Sequence, residues 1–211
     1  MSNDTNFEID FSRAKTIANT GKAREFKANP KFDLSTLYGF TAPAGLQGVS
    51  GPCALGTILH HHKIGWNHLP KDRHGRPLND PYIHEIMRWA ECPDLLNRSM
   101  GTSPARMLKG LEKAKLIASW YADNTPQATL SLIRDELFEG RPVIALINHG
   151  LEGERLLLAW EVVFKLENDT VSSKQAHSAQ QDNSRTTAEF MAQMATDSQQ
   201  LSCSIITVQK D

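Results

Sequence analysis

The chain has 211 residues, 40% of them hydrophobic and 22% charged, with a formal net charge of −1. That is enough apolar material for one sizeable core, and it excludes a disordered chain. There is no basic excess with which to hold nucleic acid or an anionic membrane, and no apolar run approaches the roughly 18 residues of a membrane span.

The N-terminus, MSNDTNFEIDFSRAK, lacks the basic-then-apolar pattern of a secretory signal. Three cysteines, Cys53, Cys92 and Cys203, form neither a metal-ligand spacing nor an even set for disulfides. A reducing compartment follows, so the expected location is the cytoplasm, or the exterior by a signal-independent export system. Residues 1–40 read as a polar N-terminal extension, with a short alternating run at Phe7, Ile9 and Phe11 and a basic helical piece after it. Residues 41–211 read as one domain.

Gly48, Gly51 and Pro52 then make a loop that gives way to a helical apolar run, Ala54, Leu55, Ile58 and Leu59, ending near residues 62–65. A Pro-, Gly- and Asn-rich loop follows to Asp80, and Pro81 opens a helix over 81–91. Thr102, Ser103 and Pro104 start the next helix. Residues 117–121 suit a short strand, and 126–139 an amphipathic helix. Residues 142–148 (PVIALIN) and 155–165 (RLLLAWEVVFK) are β-branched apolar runs of strand length, joined by a turn over 149–154. A weak strand at 170–174, a polar surface loop over 175–185, a helix at 187–195 and a closing strand at 202–209 complete the chain. Helices first and antiparallel strands later predict an α+β fold, a helical half carrying Cys53 packed on a sheet half.

Cys53 is the residue around which chemistry can be built. A thiol at a helix N-terminus feels free backbone N–H groups and the positive end of the helix dipole, which favour the thiolate. Gln47, six residues upstream, offers a side-chain amide to a developing oxyanion. The competing reading, an ordinary buried cysteine, applies to Cys92 and Cys203 as well. His60, His61 and His62 point about 100° apart on a helix and cannot converge on one metal ion, so they read as a histidine cluster at a helix end. Trp89, Trp120 and Trp160 have no basic interleaving and read as core or wall residues, not as a base-stacking platform.

The Gln47–Cys53 spacing, the helix starting at the cysteine, the residues 101–104 (GTSP), the strand at 140–148 (GRPVIALIN) and the later AWEVV strand resemble the papain-like cysteine peptidases. The small bacterial branch that processes double-glycine leaders is the nearest in pattern, over roughly residues 40–195. The resemblance implies Cys53 as nucleophile, Gln47 as oxyanion donor, Gly51 and Trp160 on the substrate cleft, and no metal or cofactor. It implies a thiol hydrolase acting on a peptide or amide bond of a peptide or protein substrate. It also allows a bacterial toxin or effector held by an immunity or inhibitor protein. Where the family carries its histidine, this chain has Ala159, which can neither take nor return a proton. Sixteen positions on, where an Asp or Asn would orient that imidazole, stands Gln175, with Asp169 and Asp182 as substitutes. Three explanations stay open: a histidine engineered to alanine, a natural pseudopeptidase that binds without cutting, or a different base, His149 or His177.

Overall fold

The computed structural model describes residues 11–17, 34, 37–46, 48–91, 101–152, 155–176, 178–195 and 201–210. Its helices are α1 (Ser50–His61), α2 (Asn79–Trp89), α3 (Pro104–Lys113), α4 (Pro126–Phe138) and α5 (Thr187–Met194). Its strands are β1 (Ala14–Lys15), β2 (Leu116–Tyr121), β3 (Val143–Glu152), β4 (Arg155–Glu167), β5 (Thr170–Gln175), β6 (Ser178–Thr186) and β7 (Ile205–Lys210). They form one sheet in the order β1-β2-β7-β3-β4-β5-β6. Every pairing is antiparallel except β1 with β2. Among the described residues no helix is long and apolar enough to cross a membrane.

The helix starts follow from local chemistry. Ser103, Thr125 and Thr186 each accept a backbone N–H from the first turn they cap, and Thr186 with Glu189 forms a reciprocal capping box. Pro104 and Pro126 occupy first-turn positions, where a missing N–H costs nothing. α1 has no side-chain cap, and ten consecutive residues from Ser50 to Leu59 are buried. Its stability comes from packing, not from its ends.

Three expectations change. Residues 175–185, read as a surface loop, include most of β6, whose residues pair with β5 from Thr170↔Thr186 to Gln175↔Ser178. A polar run of this kind suits an edge strand, where outward side chains need no apolar partner. The basic piece from residue 12, read as helical, contributes a short strand instead, Ala14–Lys15, on the far edge of the sheet. The turn expected over 149–154 is shorter: the β3–β4 ladder runs on to Glu152↔Arg155, past an irregularity between Asn148 and Leu151. Most of the Phe7–Phe11 run and residues 18–33 lie outside the described residues. Leu34, Leu37 and Phe40 belong to the same buried core as α1 and β3.

The two faces of β4 look at different helices. Trp160 reaches Thr102, and Thr102 lies against Gly51 of α1. Lys174, on the same face as Val162, packs on Gly39, next to Phe40, which touches Gly56 of α1. Up to Val162, ahead of the irregularity between Val163 and Lys165, the even-numbered β4 side chains therefore turn to α1. Glu161, odd-numbered, bonds Arg185, which in turn bonds Gln193 of α5. Odd-numbered side chains up to Val163 turn to α5.

Candidate active site around Cys53

Cys53 sits in the first turn of α1, as its position after Gly51 and Pro52 predicts. Its own N–H is already used, donating to Val49 O at 3.1 Å, and its carbonyl accepts from Thr57 Oγ1 at 3.1 Å. The side chain is 2% exposed, and burial pushes the thiol up from an ordinary 9.0 to about 12. This corrects the expectation of a favoured thiolate. A rise of that size opposes ionisation by about 4 kcal/mol, whereas a helix dipole returns about 2 kcal/mol at best. Desolvation wins.

α1 is fastened to β4 beside the thiol. Ser50 Oγ accepts the Trp160 backbone N–H at 3.1 Å, and Cys53 lies one turn further along the same helix surface. The Trp160 indole donates to Thr102 O at 2.7 Å. A Cβ added to Gly51 would fall 2.4 Å from the Thr102 Cβ, so glycine is required for the two segments to meet. Gly51 and Trp160, expected on the substrate cleft, are both buried. Together with Thr102 they pack where the first turn of α1 meets β4.

Ala159 pairs with Ile147, and alternation gives its side chain the face of Glu161, not the face of α1. What occupies that face is a polar network that sequence reasoning missed. Glu161 is 1% exposed and accepts from Arg185 Nη2 at 2.6 Å, from Gln175 Nε2 at 2.8 Å and from Ser173 Oγ, with His149 Nε2 at 2.9 Å. Gln175, expected to orient an imidazole at 159, is engaged by this carboxylate. His149, an alternative base, is held there too. The one signal in the sequence was a lone glutamate inside the apolar run AWEVVF. A buried carboxylate needs several donors.

Of the remaining candidates, Asp182 pairs with Lys174, and Asp169 accepts from the Thr187 backbone N–H through its carbonyl and from the Thr187 hydroxyl through its side chain. Gln47, Cys92 and His177 lie outside the described residues. Among the described residues no group of three or more His, Cys, Asp or Glu side chains is placed to hold a metal ion.

The sequence matches no protein-family profile and no curated protein. The structure is similar to the crystal structure of the peptidase domain of Streptococcus ComA, a bi-functional ABC transporter involved in a quorum-sensing pathway. The TM-score is 0.52 at 12% sequence identity, and the likeness covers 83% of this chain and 99% of that one. The fold is accordingly α+β and papain-like, with the helical half carrying Cys53 against a mostly antiparallel sheet.

Proposed function

We propose that this chain is a papain-like peptidase scaffold that, as written, binds peptide or protein without hydrolysing it. The fold, similar to a peptidase domain, and the cysteine in the first turn of α1 support the thiol-hydrolase ancestry. The observation that carries the non-hydrolytic reading is the state of Cys53: buried, with its thiol pushed up to about 12. A thiol hydrolase needs the thiolate and a neighbouring base, with a path for substrate. Position 159 supplies no base, and Gly51, Thr102 and Trp160 beside the first turn of α1 are buried.

A second reading, an enzyme disarmed by one change at 159, draws on the retained cysteine and helix start. The variant Ala159→His separates the two. In a disarmed enzyme it restores Cys53-dependent cleavage across a broad peptide and amide panel, abolished again by Cys53→Ala. In the binding reading no turnover appears, because an imidazole at 159 meets Glu161 on the α5 face. Cys53-dependent turnover in Ala159→His would overturn the proposal.

A further inference from the structure

Beyond Cys53, the far end of α1 carries a cleft of about 450 Å³, within the range of small-molecule sites. His61, one of its lining residues, lies eight positions past Cys53, about 12 Å along the helix axis. The walls are aromatic: Tyr38, His60, Trp66 and Tyr82. They are braced from behind. Tyr38 meets Phe40 edge-on at 4.9 Å, Phe40 lies 4.7 Å from Tyr82, and Trp66 stands edge-on to both Tyr82 (5.7 Å) and Trp89 (5.3 Å). The Tyr82 hydroxyl is anchored to Ile64 O at 2.9 Å. Such walls hold their shape before any ligand arrives.

The charge of this cleft is one-sided. Among the described residues, Lys63 and Lys71 line it, and no aspartate or glutamate does. Among the described residues neither ammonium is paired with a carboxylate. The nearby Arg76 lies over the Tyr38 ring at 4.9 Å and is committed to Asp72, with Nε 2.8 Å from Oδ2. Burial holds His60 and His61 below their ordinary range, so both are neutral at pH 7 and the fixed charge is that of the two lysines.

We infer that this cleft binds a planar aromatic carboxylate, its ring against the Tyr38 and Trp66 walls and its anion on Lys63 and Lys71. Two sources share that chemistry: a free aromatic acid, and the C-terminal aromatic residue of a peptide. The site is independent of the reactivity of Cys53, although a peptide terminus would add to the binding role proposed above.

The test is calorimetric titration of the full chain with N-acetyl-tryptophan, N-acetyl-tryptophanamide, and acetyl-Ala-Ala-Trp with a free or amidated terminus. Saturable binding of the acids is expected, weakened about tenfold in the amides. The double variant Lys63→Ala/Lys71→Ala loses that preference and Trp66→Leu weakens acid and amide together, while Cys53→Ala changes neither. Tighter binding of the tripeptide acid than of the single residue identifies a peptide terminus, and equal or weaker binding a free acid; either supports the site. Equal affinity for acid and amide, or undiminished acid binding in a folded lysine double variant, overturns it. The lysines are outside the core, so that variant stays informative if Trp66→Leu fails to fold.

Discussion

The buried network around Glu161 makes the most quantitative claim on stability. Its carboxylate is 1% exposed and is met by one guanidinium, one hydroxyl, one amide and one imidazole. Replacing Arg185 by methionine preserves much of the side-chain length but leaves a buried carboxylate without the permanent cation that meets it among the described residues. Breaking a buried pair from one side costs about 3–5 kcal/mol, because the abandoned charge keeps its desolvation penalty. Three donors remain here, so the lower end, about 3 kcal/mol, is expected for Arg185→Met. Glu161→Gln leaves the guanidinium short of an anion, although Arg185 still holds Gln193, and costs about 2 kcal/mol. The double variant costs less than the sum, since neither partner is left charged and alone, so the cycle returns a coupling of at least about 1 kcal/mol. Urea unfolding followed by circular dichroism and by tryptophan fluorescence measures all three. Single-variant losses below about 1 kcal/mol with no coupling would refute the placement of this network under α5.

Other consequences are local. Gly51→Ala places a methyl 2.4 Å from the Thr102 Cβ and 3.1 Å from the Met107 sulfur, so the denaturation midpoint falls by an amount matching about 2 kcal/mol despite alanine's better helix propensity. Thermal melts of Gly51→Ala beside Gly45→Ala, where nothing stands within 4 Å but φ is +80°, separate crowding from backbone strain. On acidification, the histidines at the end of α1 work against the fold. Burial lowers His62 to about 4 from 6.5, so between those values the unfolded chain binds the extra proton and stability falls as pH drops. Asp72 and Glu91, both lowered to about 2 by their cationic and hydrogen-bonding partners, add their losses only below about pH 4.5. Unfolding free energies measured from pH 7 to 5 therefore decline in the parent chain and decline less steeply in His62→Gln, where His60 and His61 still oppose protonation in the fold; an equal slope in both would contradict the assignment.

Sequence legibility tracked how local the determining physics was. α3 and α4 could be read from Ser103-Pro104 and Thr125-Pro126, because capping acts within one turn. β3 could be read from PVIALIN, because a strand covered on both faces has no reason to alternate. β6 could not: QQDNSRT has the composition of a loop, and among its described side chains it is Arg185, beneath α5, that gives a buried anchor. The thiol shows the same divide. That a helix starts near Cys53 is written in Gly51 and Pro52, but the packing of that first turn involves Thr102 against Gly51 and Trp160 on Ser50, partners far away in the sequence. Which face of β4 carries position 159 likewise depends on the ladder with β3, which no spacing count along one strand supplies.

Whether Cys53 is an idle thiol is answered directly by the pH dependence of its alkylation. Native protein is treated with iodoacetamide from pH 6 to 9.5, and labelling at Cys53 is followed by mass spectrometry of its proteolytic peptide. A thiol pushed up to about 12 labels slowly throughout this range, with a rate that still climbs at the upper end and that rises sharply once urea unfolds the chain. Rapid labelling at pH 6–7 with a plateau below pH 8 would reveal a stabilised thiolate and contradict the reading of a peptidase scaffold without hydrolytic function.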